Sequence, residues 1–204
     1  MASLAATLLC YYDEESCFIM MVRLFQLRGM ERLYEPGFGG LVEAIGELER
    51  TWLKGTAVEA KLKQVGMDGM IYGTRWYLTA FNYSIPFQAM LRVWDVWILL
   101  GDPAPSDRLE EIAPPGGWDT DTIGGVTGPP RTEDEKQRGF DGGMDILHAT
   151  SAALIDGMRD LVLDEDFEGV MKCLTRWISV RDEEVMMRVV RTEWRKHRQR
   201  RVKT

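Results

Sequence analysis

Reactive side chains are sparse in this sequence. Three cysteines, Cys10, Cys17 and Cys173, and two histidines, His148 and His197, are the whole stock of soft ligands and imidazole bases. The cysteines form neither a CxxC pair nor an even framework, so they read as reduced thiols. A thiol–imidazole pair would need Cys10 or Cys173 to meet His148; no spacing favours that, and inert structural cysteines are the commoner case. Two scattered histidines are too few for a zinc site. The acidic runs Asp13-Glu14-Glu15, Asp164-Glu165-Asp166 and Asp182-Glu183-Glu184 lack calcium-loop spacing and suit helix N-termini instead. No residue is therefore assigned a catalytic, cofactor-binding or metal-binding role. No cofactor is expected, and a self-contained enzyme is poorly supported.

The densest cluster of functional types lies near the middle of the chain. Tyr72, Arg75, Trp76, Phe81 and Pro86 are followed by Arg92, Trp94 and Asp95. The aromatics suit packing between two helices that meet at a tight turn. Arg92 and Asp95 stand three apart on one predicted helix and can pair. Arg75, at what reads as a helix start, gains nothing from the dipole there and is expected to have a tertiary partner. These positions read as mainly structural, with a contact from Arg75 to a binding partner left open.

The elements that must hold this cluster are helical. Apolar residues recur at helical spacing almost throughout, and no sustained strand-like alternation occurs. The pattern predicts a helix over Ala2 to Tyr12. A second is capped at Asp13, carries Phe18, Met21, Val22 and Phe25 on its buried stripe, and stops near Gly29. After a loop at 36–40, the next stripe is Leu41, Ile45, Leu48 and Trp52. A helix over 58–65 ends at Gly66, which suits a C-cap. Thr74 to Tyr83 and Phe87 to Leu100 read as the two helices of the cluster, with Pro86 in the first turn of the second. Six prolines then fall between Asp102 and Gly143, marking a disordered insertion. Helical patterning resumes with Met144, Leu147, Leu154, Met158 and Leu161. Further helices start at Asp164, running through Leu174, and at Asp182, running through Trp194. The expected layout is helical over 1–101, inserted over 102–143, helical again over 144–199, and a basic tail over 200–204.

Charge narrows the partners. From Arg191 to Lys203 there are seven Lys or Arg against one Glu, a local +6, so the remainder must carry −13 to give the total of −7. An acidic body argues against nucleic acid, which needs a broad positive face. The tail could touch anionic lipid, or simply complement the dipole of a helix end. No apolar run approaches the length of a membrane span, and the N-terminus has no basic residue ahead of its apolar part, unlike a secretory signal. A cytoplasmic location, peripheral at membranes through the tail, is expected.

The central residues, taken in order, resemble the C-terminal half of the TBC domain of Rab GTPase-activating proteins. The late motifs of that family, approximately Tyr-x-x-x-Trp-Phe-x-x-x-Phe, Leu-Pro and Arg-x-Trp-Asp, correspond here to Tyr72 through Phe81, Ile85-Pro86 and Arg92 through Asp95. Asp13 through Phe18, Leu33-Tyr34 and the 36–41 stretch match upstream, and Asp182 through Met187 with Glu193 through His197 look like fungal members. The resemblance implies an all-α, multi-helix C-terminal subdomain, GTPase activation in vesicle trafficking, and a Rab-type small GTPase as partner. It also implies two catalytic side chains, an arginine in Ile-x-x-Asp-x-x-Arg and a glutamine in Tyr-x-Gln-Gly-Met. No isoleucine or tyrosine here begins either motif, and Met1 aligns with the methionine that closes the second. The expectation is a truncated chain that begins just after the finger motifs, without catalysis of its own. The alternative is a non-catalytic GTPase-binding or helical adaptor module. A truncated domain is further expected to expose apolar surface on Leu4 and Leu8 and to self-associate.

Overall fold

The computed structural model describes residues 1–100 and 144–201. The insertion expected at 102–143 and the last residues of the basic tail lie outside them. All regular structure among the described residues is helical: α1 (Ala2–Leu8), α2 (Glu14–Leu27), α3 (Met30–Leu33), α4 (Gly39–Glu47) running into a π-helical turn (Leu48–Trp52), α5 (Ala57–Val65), α6 (Gly69–Leu78), α7 (Phe87–Leu100), α8 (Asp145–Gly157), α9 (Arg159–Asp164), α10 (Phe167–Thr175) and α11 (Glu183–Arg201).

Local chemistry accounts for most of the helix starts. Asp13 accepts from Ser16 N at 2.8 Å, Thr56 from Glu59 N at 3.1 Å, Asp68 from Met70 N at 2.8 Å and Asp166 from Gly169 N at 2.9 Å. Asp182 likewise accepts from Val185 N at 2.9 Å. Each satisfies an amide that the first turn leaves without an intrahelical partner. Backbone hydrogen bonding at Ser16 holds the Asp13 carboxyl below its ordinary pKa. At the other end of α5, Gly66 takes the left-handed conformation (φ 70°), as its cap position requires.

The centre of the core is α8. Every residue from Asp145 to Ile155 is buried, and the helix packs against α7, the π-helical turn, α9 and, most extensively, α11. Ala149, Ala152 and Ala153 let those neighbours approach. One hydrophobic cluster joins residues before 101 with residues after 143, running from Leu4 through Trp76 and Trp97 to Leu154, Leu174 and Val190. The apolar stripe Leu41, Ile45, Leu48 and Trp52 is buried throughout. The π-helical turn keeps the last two of these facing α8 by adding a residue to the turn.

Several expectations need correction. The helix expected over Ala2 to Tyr12 ends at Leu8, Phe18 on the expected buried stripe of α2 is 49% exposed, and the helix expected from Asp164 begins at Phe167 behind its Asp166 cap. The first helix of the central cluster runs over Gly69–Leu78 rather than 74–83. Asp68 caps it early, and the chain breaks at Ala80 and Phe81, which take positive φ of 44° and 66°. Such non-glycine backbone costs about 1–2 kcal/mol per residue. Here it is held by the fully buried Phe81 ring, by Phe81 N donating to Trp76 O at 2.9 Å, and by Trp94 Nε1 donating to Ala80 O at 2.9 Å. Arg75 consequently lies in the last turn of α6, not the first. Finally, Leu4 and Leu8 are 0% and 3% exposed. They do not form an open apolar face, because Asn82 Nδ2 holds α1 in place by donating to Ser3 O and Thr7 Oγ1, both at 2.7 Å.

No described helix is long and apolar enough to cross a membrane.

Candidate functional site

The eight cluster positions divide into a core layer, a cross-chain clamp and a solvent face. Tyr72, Trp76, Phe81 and Trp94 are buried. Tyr72 and Trp76 tilt together with ring centroids 5.2 Å apart, Trp76 and Phe81 at 6.0 Å, and Trp94 meets Trp97 edge-on at 6.0 Å. These are the offset geometries that aromatic quadrupoles favour. Pro86 heads α7, its carbonyl accepting from Met90 N at 2.9 Å. Its missing N–H costs nothing there.

Arg75 is the clamp. Its guanidinium donates to the carbonyl of Thr175 and, at 3.2 Å, to that of Arg176. These are carbonyls at the C-terminal end of α10, where the helix dipole presents negative charge. Ile178 N donates to Ser84 O at 2.7 Å, so the turn between α6 and α7 is also tied to the segment after α10. The tertiary partner expected for Arg75 is thus main chain, and its charge is spent within the fold.

Arg92 and Asp95 face solvent on α7. Their side chains are 56% and 63% exposed and lie 4.0 Å apart, a surface pair of small energetic weight. Gln88 and Leu99 share that exposed face, and Tyr83 and Phe87, at the α6–α7 turn, are also open to solvent.

Sequence reasoning missed a buried polar cross-link. Tyr77 from α6 meets His148 Nδ1 from α8 at 2.6 Å, and His148 Nε2 stands 3.7 Å from Glu47 Oε2 at the end of α4. Burial pushes the Tyr77 hydroxyl well above its ordinary pKa, so it keeps its proton. Trp52 lies against both histidines, 5.7 Å from the His148 ring and stacked on His197 at 3.9 Å. The structure therefore brings the two histidines to one tryptophan, although their sequence separation suggested no relation. His148 and Tyr77 are fully buried, so this arrangement locks α4, α6, α8 and α11 together and admits no substrate. The signal for it in the sequence was slight: a histidine inside an otherwise apolar helical pattern.

The imagined thiol–imidazole pair does not form. His148 is surrounded by Tyr77, Glu47 and Trp52, while Cys10 is exposed with its thiol donating to Ala6 O at 3.3 Å. No group of three His, Cys, Asp or Glu among the described residues is placed to hold a metal. A concavity of about 610 Å³ is an open groove between α9, α10 and residues 176–179, with Leu161 and Trp177 on its rim.

Known proteins show the same pattern. The family model of the Rab-GTPase-TBC domain matches residues 1–105. A TBC domain-containing protein, C1778.09, of Schizosaccharomyces pombe is 35% identical over 196 residues, covering 96% of this chain and 38% of that protein. The GTPase-activating protein GYP5 of Saccharomyces cerevisiae is 31% identical over 104 residues, 50% of this chain and 12% of that protein. The Rab GTPase-activating protein tbc-11 of Caenorhabditis elegans is 28% identical over 100 residues, 48% of this chain and 11% of that protein. The chain thus spans less than two fifths of the length of each of these relatives.

Proposed function

Because the chain belongs to the Rab-GTPase-TBC domain family, we propose that it engages a Rab-type small GTPase and that these 204 residues alone do not accelerate GTP hydrolysis. One observation carries the reading: a chain with counterparts of the family's late motifs contains neither the Ile-x-x-Asp-x-x-Arg nor the Tyr-x-Gln string. An arginine supplied in trans stabilises the charge on the transferring phosphoryl group and is worth about 10³–10⁵ in rate. Arg75 offers no substitute, because its guanidinium is held by the Thr175 and Arg176 carbonyls.

What this chain supplies is the support. The buried aromatics fix α6 and α7 against α8, and the outward face of α7 presents Gln88, Arg92, Asp95 and Leu99. That face is the surface we assign to GTPase contact.

Single-turnover hydrolysis on GTP-loaded Rab proteins, with the chain equimolar and in excess, tests the catalytic half of this reading. The expected result is the intrinsic rate throughout. Catalytic stimulation at substoichiometric chain would overturn it. Biolayer interferometry on the same panel tests the binding half: at least one Rab is expected to bind, and Arg92→Glu should weaken it. Absence of binding to every Rab would leave the helical adaptor as the better account.

A further inference from the structure

The final helix carries a second surface unrelated to the central cluster. On α11 the buried side is Met186, Val190 and His197, which pack toward α8. On the opposite side Arg188, Arg191, Arg195 and Arg198 are all exposed. Their spacing of three, four and three residues places them in one stripe. At 1.5 Å rise per residue the stripe is about 15 Å long.

The acids of this helix do not neutralise it. Glu193 is bound to Lys196 at 2.6 Å, and Glu184 lies a turn ahead of the first arginine. None of Arg188, Arg191 and Arg195 forms an ion pair with a described residue, and Arg198 stacks its guanidinium over the Trp194 ring at 4.7 Å. The stripe runs along the outward side of a helix whose opposite side is buried, so it forms a convex ridge.

We infer that this arginine stripe is a docking surface for an anionic phospholipid membrane, whose headgroup phosphates form a plane that a convex row of guanidiniums can meet along its length. Guanidinium pairs with phosphate in a bidentate geometry that ammonium cannot match. The acidic remainder of the chain does not cancel the attraction. Charges more than about 8 Å from the surface are largely screened at physiological ionic strength, whereas the stripe is in contact. Docking through α11 would also fix which side of the helical body faces the membrane, since α11 is packed rigidly along α8.

The test is sedimentation of the 204-residue chain with sucrose-loaded vesicles of phosphatidylcholine containing phosphatidylserine, against vesicles of phosphatidylcholine alone. Binding is expected only with phosphatidylserine and should weaken steeply with added salt. Arg191→Glu combined with Arg195→Glu should reduce it at least about tenfold, because each basic residue near the surface adds separately to the attraction. Arg191→Lys with Arg195→Lys, which keeps the charge without the fork, should bind between the parent and the charge-reversed pair, and Lys63→Glu on α5 should leave binding unchanged. If the first charge-reversed pair melts early by circular dichroism, Arg188→Glu with Arg198→Glu must show the same loss in its place. No sedimentation with phosphatidylserine, equal sedimentation with both vesicle types, or undiminished binding by both folded reversal variants would overturn the proposal. So would retention on polyglutamate by a chain that ignores vesicles, which would assign the stripe to an acidic polypeptide instead.

Discussion

The guanidinium of Arg75 donates to the main-chain carbonyl of Thr175, exactly a hundred positions along the chain. One side chain thus closes the end of α10 and ties the central cluster to residues beyond the stretch at 102–143. It joins the two stretches of sequence that the proline-rich segment separates.

Loss of that clamp should be measurable as stability. Arg75→Ala removes a charge-assisted pair of hydrogen bonds and a favourable dipole contact, about 1.5–3 kcal/mol. Urea denaturation should show a lower midpoint with an unchanged slope. Arg75→Lys keeps the charge but not the fork, and its midpoint should fall between the two. A midpoint equal to that of the parent for the alanine variant would mean the carbonyls are as well served by water.

Trp76 sets the core. It is fully buried between Tyr72 and Phe81, and Trp76→Ala should cost about 3–5 kcal/mol through lost burial and the cavity left behind. Against a total stability of about 5–15 kcal/mol, that approaches unfolding. The variant should be found largely in the insoluble fraction, and Trp76→Phe should be milder. A soluble, cooperatively melting alanine variant would contradict the packing described.

Two glycines should respond in opposite directions to alanine. A Cβ at Gly40 would collide with the main-chain carbonyl of Arg32, where α3 crosses α4, whereas at Gly157 nothing lies within 4 Å. Backbone cannot step aside as a side chain can, so Gly40→Ala should destabilise by about 1–3 kcal/mol or more. Gly157→Ala should gain up to about 1 kcal/mol from helix propensity and a less disordered unfolded chain. Thermal melts of the two variants would decide this.

Alkaline pH should weaken the fold. Burial raises the hydroxyl pKa values of Tyr34, Tyr72 and Tyr77 above the ordinary 10.0. The unfolded chain therefore releases these protons first. Their contribution is complete below pH 10 and is lost as pH rises through the folded values. Tyr72→Phe isolates one of them, since its hydroxyl makes no hydrogen bond with a described residue. The variant should be at least as stable as the parent at pH 7 and should lose less stability above pH 10. An alkaline profile identical to the parent would exclude Tyr72 as a source of the sensitivity.

What the sequence determined on its own was local. Helix starts at Asp13 and Asp182 follow from a side-chain oxygen reaching an amide three residues ahead, whereas the start behind Asp68 was expected at Thr74 and the one behind Asp166 at Asp164. The stop at Gly66 follows from the one residue type that tolerates its backbone. Apolar spacing likewise marked the buried stripe from Leu41 to Trp52, and the ordered motif residues from Tyr72 to Asp95 carried the family. These signals act over a few positions, and so they survive in a single sequence.

Only the tertiary structure decided the rest, because it depends on which distant faces meet. The break after Leu78 puts Ala80 and Phe81 in left-handed backbone that no local preference favours; the pocket filled by the Phe81 ring compensates. Leu4 and Leu8 read as open apolar surface until α1 is seen held by Asn82. His148 and His197 became neighbours of one tryptophan because α8 and α11 pack along each other. Nor could helical periodicity alone turn Arg188, Arg191, Arg195 and Arg198 into a surface: that required Met186, Val190 and His197 to bury the other side.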